Sequence, residues 1–169
     1  MHKLEIKKSV LCKSNLGLVL IPTNMTQQVS NQFCQKLNGN YFTLANDKRV
    51  NLALDMTKDK QRCEIIWTGW TDELKEGNFY DVNNDSIALS TNNFHQPIWG
   101  AKQPNGGKGQ NCVEIWQGFF YDTECTRKLC GICDLPYSPV FKMRGKKFKS
   151  DYGWTGKLIG NFFIAMVPT

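Results

Sequence analysis

Residues 103–133 read QPNGGKGQNCVEIWQGFFYDTECTRKLCGIC, and the reading of this stretch decides the fold. A Gln-Pro-Asn tripeptide opens it, and Gly106, Gly107 and Gly109 let the following loop turn. Val113–Ile115 and Phe119–Tyr121 are strand-like runs separated by the turn pair Gln117-Gly118, and a last strand passes through Cys130–Cys133. Three cysteines crowd the end as Cys125-x4-Cys130-x2-Cys133. Zinc would need a fourth ligand, and no partner C-x2-C or H-x3-H pair exists; the two histidines, His2 and His95, are distant in sequence from any cysteine. The spacing therefore favours a disulfide framework over a metal knuckle or reactive thiols.

Upstream of this block, Ile65–Trp70 is β-rich and too short for a helix, and Leu18–Ile21 reads as a first strand. Residues 26–38 predict an amphipathic helix, with Val29, Phe33 and Leu37 at i, i+4 and i+8 and Cys34 on the same face. Thr26 or Asn24 would cap its start, and Gly39 would supply a left-handed residue at its end. A second helix is expected from Asn46 to Met56, capped by Asn46, with Val50, Ala53 and Leu54 as a narrow apolar face. Gly77–Tyr80 looks like a strand edge. Residues 81–110 are dominated by Asn, Gln, Ser, Gly and Pro and read as one long loop, with Ile87–Leu89, Phe94, Ile98 and Trp99 as apolar anchors. Loops of that length inside a compact domain are usually functional. Two helices, several short strands and a long polar loop make an α+β domain.

The chain has 169 residues, and its five Trp, ten Phe and five Tyr carry far too much apolar surface for a solvated coil. Its longest apolar stretch, Leu16–Ile21, is six residues long, against the roughly 20 that a helix needs to cross a bilayer, so no membrane span is expected. The net charge of +6 is uneven: residues 1–136 hold 15 Lys+Arg and 14 Asp+Glu, whereas residues 137–169 hold six and one, giving +5. The excess centres on Lys142, Arg144, Lys146, Lys147 and Lys149. Such a cluster suits polyanions or acidic headgroups, but a solvated linker is the simpler reading, and no nucleic-acid partner is expected. Pro136 and Pro139 punctuate the start of this basic tail. Its apolar end, Phe162–Val167, either packs back on the domain or begins a further domain.

The ordered set of Cys34, Trp67-Thr68-Gly69-Trp70, Gln103-Pro104-Asn105, Cys112, Phe120-Tyr121-Asp122, Cys125 and Cys133 resembles the C-type lectin-like domain superfamily over about residues 12–136. Trp67–Trp70 is similar to that family's W-I-G-L core strand, with Thr68 and Trp70 departing from it. Gln103–Asn105 stands at its E-P-N or Q-P-D tripeptide, and Phe120–Asp122 at its W-N-D. The resemblance implies the α+β C-type lectin-like fold, with disulfides Cys34–Cys133 and Cys112–Cys125. Of the remaining cysteines, Cys63 leads into the core strand and Cys130 lies beside the last one, which pairs them and leaves Cys12 odd.

In lectins of this family a calcium ion in the long loop coordinates sugar hydroxyls. Carried over by position, the ligand-binding residues are Gln103, Asn105, Gln110, Tyr121 and Asp122, with Gln103, Asn105, Gln110 and Asp122 as calcium ligands. Asp122 alone among them is a carboxylate. Amide carbonyls coordinate calcium without neutralising it, and a phenol, which keeps its proton near neutral pH, is a poor ligand. Weak or absent calcium dependence follows, and the mixed tripeptide names no sugar. Gln103, Pro104 and Asp122 could equally shape the loop with no ion, and Phe94, Trp99 and Trp116 read as core anchors before they read as a sugar-stacking platform.

The resemblance implies an extracellular or secreted recognition module that binds a carbohydrate or an extracellular protein through the long loop. A calcium-dependent lectin, or a segment of a larger receptor ectodomain, are the alternatives. Sequons at Asn24 (Asn-Met-Thr) and Asn84 (Asn-Asp-Ser) suit that compartment, although no leader is visible at the start and the chain reads as a possible fragment. No Ser/His/Asp set, P-loop or G-x-G-x-x-G occurs, and His95 has no evident partner, so enzymatic activity is not expected.

Overall fold

Alternation along Leu18-Val19-Leu20-Ile21 sends neighbouring side chains to opposite sides of a strand. The computed structural model describes residues 18–57, 63–95, 98–135, 147–149, 155–159 and 162–166. Cys12, the question of a leader, and the tail residues 136–146 with their prolines and basic side chains lie outside these. In the described residues β1 (Leu18–Met25) runs antiparallel to β8 (Leu129–Asp134), pairing Val19 with Cys133 and Leu20 with Ile132. Leu18 and Leu20 enter one buried cluster, with Phe42, Ile66, Trp70 and Phe120; Val19 and Ile21 enter a second on the other side, with Cys34, Tyr41 and Trp67. The sheet thus has two buried faces, which is why its central strands read as continuous apolar runs.

Helix α1 (Gln27–Lys36) packs on one side and α2 (Asp47–Met56) on the other. Thr26 caps α1 by accepting from the Val29 amide at 3.3 Å, and Asn46 caps α2 by accepting from Arg49 at 3.0 Å. The inward face of α1 is not the expected one. Gln27, Ser30 and Cys34 are buried, Phe33 and Leu37 are half-buried, and Val29 is 47% exposed. Gln27 is drawn in because β3 (Ile65–Thr71) shifts register between Trp67 and Thr71, where it pairs with β6 (Cys112–Trp116). The shift leaves carbonyls without ladder partners, and the Gln27 amide donates to Thr68 O and Trp70 O, both at 3.0 Å. The left-handed residue closing α1 is Asn38 (φ 56°), not Gly39. Gly39 is there for room: a Cβ would lie 2.5 Å from Leu135 Cδ2 and 2.8 Å from the Asp134 carbonyl.

β2 (Asn40–Tyr41) pairs with β8, and β8 meets β3 in parallel at Cys130–Ile66. β7 (Phe119–Thr123) forms a hairpin with β6 over Gln117 (φ 51°) and Gly118 (φ 87°), the left-handed pair of a type I′ turn. Residues expected to begin the long loop instead form a second hairpin, β4 (Tyr80–Asp81) with β5 (Asn84–Ala88). Every β5 residue is exposed, so no alternating pattern marks it in the sequence. The disulfides join Cys34 to Cys133, Cys63 to Cys130 and Cys112 to Cys125, with Cα separations of 5.3, 5.8 and 5.1 Å.

In the tail, β9 (Lys147–Lys149), β10 (Thr155–Ile159) and β11 (Phe162–Met166) form an antiparallel ribbon. β11 lies parallel to β1, with Phe163 opposite Val19 and Ile164 opposite Leu20. The apolar end therefore pairs with the first strand of the domain. No helix among the described residues is long and apolar enough to cross a membrane.

Candidate functional site

Strand β7 alternates, and the alternation splits the family triplet. Phe120 and Asp122 point inward, whereas the Tyr121 ring lies on the other face, packed over Gly100, where a Cβ would fall 2.4 Å from it, and beside Trp116 at 5.8 Å. Phe120 anchors the base of the loop. Its amide donates to Ile98 O at 2.7 Å and its carbonyl accepts from Gly100 at 2.9 Å. Edge-on contacts with Phe94 (5.8 Å) and Trp99 (6.2 Å) surround its ring, and Trp99 also meets Phe79 at 4.9 Å. Phe94 and Trp99 are thus anchors of the loop. Trp116 sits on the outer face with Tyr121, its indole donating to Glu64 Oε1 at 3.2 Å.

Asp122, 6% exposed, organises the loop above that base. Its Oδ2 accepts from the amides of Asn105 (2.9 Å) and Gly106 (2.7 Å), holding the tripeptide onto β7. The Gln103–Pro104 bond is cis. Gln110 folds back over Gly106, where a Cβ would sit 2.0 Å from Gln110 Oε1. Gly106 thus meets Asp122 through its amide and Gln110 across its α-carbon. Asp122 Oδ1, Gln103 Oε1 and Gln110 Oε1 are all buried with no hydrogen-bond partner among the described residues. Asn105 is exposed.

The arrangement supplies acceptors and one negative charge. Glu114 does not add a second. It stands opposite Tyr121 on β6, hence on the face away from Asp122, and its Oε2 accepts from Arg127 at 2.5 Å. Burial pushes the Glu114 carboxyl up from its ordinary range, with Arg127 pulling partly back. Glu124 is exposed. Among the described residues no group of three or more His, Cys, Asp or Glu could hold a metal. In donor chemistry, an unpartnered carboxylate oxygen and two unpartnered amide oxygens each suit a hard cation, so Gln103, Gln110 and Asp122 are the residues that would hold calcium. The ion would supply a positive centre for sugar hydroxyls, but in a cage of one charge its affinity would be low. Tyr121 lies on the opposite face of β7 from Asp122.

His95 was without an evident partner in the sequence; the fold provides one 48 residues upstream. Its amide donates to Asp47 Oδ2 at 2.8 Å and its ring Nδ1 meets the same oxygen, tying the loop to the first turn of α2. The His95 ring and amide hold the Asp47 carboxyl below its ordinary range. A carboxylate with a depressed folded pKa contributes stability that is present above its unfolded value, about 3.9, and is lost as pH falls through the folded value. Asp47→Asn is accordingly expected to lower the unfolding midpoint at pH 6, with the deficit closing as pH is taken toward 2. A deficit that stays constant over that range would show that the carboxylate contributes nothing through His95.

A family model described as Lectin C-type domain matches residues 23–135. Human C-type lectin domain family 3 member A is 33% identical over 110 residues, covering 63% of this chain and 52% of that protein. The chain spans about half the length of the curated relatives it matches. Among solved structures, the C-type lectin TC14 of the tunicate Polyandrocarpa misakiensis superposes with a TM-score of 0.57 at 20% identity, covering 69% of this chain and 94% of that one. Human lithostathine superposes with a TM-score of 0.59 at 15% identity, covering 70% and 89%. At such identities the likeness of these structures is one of fold.

Proposed function

The chain belongs to the C-type lectin domain family, and from that premise we propose that it is an extracellular recognition module whose long loop, residues 89–111, binds a glycan or a protein partner with little dependence on calcium. The observation that carries this reading is the pair of amide bonds to Asp122. They shape the loop from within the chain, so its geometry does not wait for an ion. Calcium would still meet three oxygens there, with one charge to hold it. Three disulfides and two exposed sequon asparagines, Asn24 and Asn84, support an oxidising compartment. A place in a longer receptor is compatible with this reading.

Thermal unfolding in 1 mM calcium and in chelator tests it. A site with a dissociation constant near 1 mM gains only about 0.4 kcal/mol, a shift of a degree or two. A gain of about 2.7 kcal/mol, which needs a hundredfold tighter site, would establish the calcium-dependent lectin instead. Asp122→Ala is expected to cost about 2 kcal/mol in calcium and chelator alike, because it frees two loop amides. If the cost appeared in calcium alone, the carboxylate would be an ion ligand before it is a loop anchor.

A further inference from the structure

We infer that Asn84, the first residue of β5, carries an N-linked glycan that covers the open edge of that strand; the inference rests on the proposed reading of the chain as an extracellular module. Asn84-Asp85-Ser86 is a sequon, and such triplets are modified where the chain stands out in solvent. The fold presents this one fully. Every residue of β5 is exposed, and Asn84 and Ser86 form an Asx turn. Asn84 Oδ1 accepts from the Ser86 amide at 3.1 Å and from the Ser86 hydroxyl at 2.6 Å. The sequon hydroxyl thus sits against the acceptor carboxamide, while Asn84 Nδ2 donates to no atom of the described residues. Asn24 differs. It stands on β1, which is paired on both sides, by β8 and β11. Its Oδ1 lies 3.8 Å from Cys130 Sγ, and the hydroxyl of its sequon, on Thr26, is engaged as the cap of α1.

The chemistry needs only what the secretory route supplies, a lipid-linked oligosaccharide pyrophosphate and its transferase. Asn84 Nδ2 forms a bond to the anomeric carbon as the bond from that carbon to the pyrophosphate oxygen breaks. The lipid pyrophosphate leaves with the electron pair, and the amide proton passes to a base of the transferase. The hairpin also has a use for such a cover. Among the described residues β5 is the terminal strand of the sheet and pairs only with β4, at Asp81–Asn84 and Tyr80–Ala88. Residues 85–87 fall in the register shift between those pairs, and Ile87 among them is 46% exposed. Unpaired edge backbone beside an exposed apolar side chain is a template for a second chain, and a bulky hydrated sugar at Asn84 keeps such a chain away.

The test secretes the full chain from cultured animal cells behind a supplied leader. Enzymatic deglycosylation in heavy-oxygen water converts an occupied asparagine to labelled aspartate, which peptide mass spectrometry locates. Label at Asn84 is expected on most molecules of the wild type and of N24Q. N84Q and S86A should each remove one glycan's step in electrophoretic mobility, whereas S86T should keep it. Sedimentation velocity of N24Q, whose remaining sequon is Asn84, reads the cover. Self-association should rise with concentration after deglycosylation of the folded protein and not before. A secreted, oxidised protein without label at Asn84 overturns the inference but leaves the extracellular reading standing. So does a mobility step that survives in N84Q. Label at Asn84 with equal sedimentation before and after deglycosylation overturns the cover. A chain retained in the cells with free thiols at the six framework cysteines removes the inference and the extracellular reading together. Far-UV circular dichroism and the unfolding midpoint of each variant establish that it is folded.

Discussion

A Cys34→Ala/Cys133→Ala double variant is expected to lose about 4 to 5 kcal/mol of stability, enough to leave little folded protein at 37 °C. The bridge closes 99 residues of sequence, so its removal releases a large loop-closure entropy into the unfolded chain. It also links the buried face of α1 to the middle of the sheet, and both sulfurs belong to fully buried residues. Alanine rather than serine is used so that no hydroxyl is left unpaired. Natural globular domains have only about 5 to 15 kcal/mol in total. Removing Cys112–Cys125, which spans 13 residues, should cost about 3 kcal/mol by the same reasoning. Urea unfolding of both double variants checks the order. A loss under 1 kcal/mol for the long bridge would mean that the reduced chain already holds α1 against the sheet.

Gln27→Glu is expected to be nearly as damaging, about 4 kcal/mol at pH 7. The glutamine donates both of its amide protons to the carbonyls of Thr68 and Trp70 at the register shift of β3. A carboxylate cannot donate, so two buried carbonyls lose their partners, at about 1 to 3 kcal/mol each, and a charge is buried among acceptors. Gln27→Ala should cost less, because it leaves the carbonyls orphaned but buries no charge. The new carboxyl is disfavoured in its charged form, so its folded pKa is raised above the unfolded one. The Glu variant should accordingly recover stability as pH falls below that raised value, while Gln27→Ala stays flat. Unfolding midpoints of the two variants between pH 4 and 8 separate the effects. Parallel curves would rule out the buried-charge account.

Much of the framework was legible because it is written in local periodicities and in cysteine order. Asn46 is the cap expected for α2, the Gln117-Gly118 turn lies where two strand-like runs demanded one, and β3, β6, β7 and β8 follow their apolar residues. The miss on α1 has a specific cause. Helical spacing ranked Val29 above Gln27 by hydrophobicity, but the register shift in β3 created two carbonyls that only a buried donor could satisfy. Strand β5 was missed because an exposed edge strand has no apolar face to alternate. In the candidate site, Gln103, Gln110 and Asp122 each bring an unpartnered oxygen. Strand alternation sends the Tyr121 ring to the other face, where it rests on Gly100 and Trp116.

Sequence alone therefore determined what depends on neighbours along the chain and on the order of chemical types: helix ends, turns, short strands and the order of the cysteine framework. Only the tertiary structure decided which polar atoms are satisfied. That Asp122 spends one oxygen on Asn105 and Gly106, that Glu114 is turned away to Arg127, that His95 leans on Asp47 and that β11 lies against β1 are all pairings across long separations. The reason is physical. A buried donor or acceptor is defined by what surrounds it in space, and residues 13 to 144 positions apart leave no local trace of such a meeting.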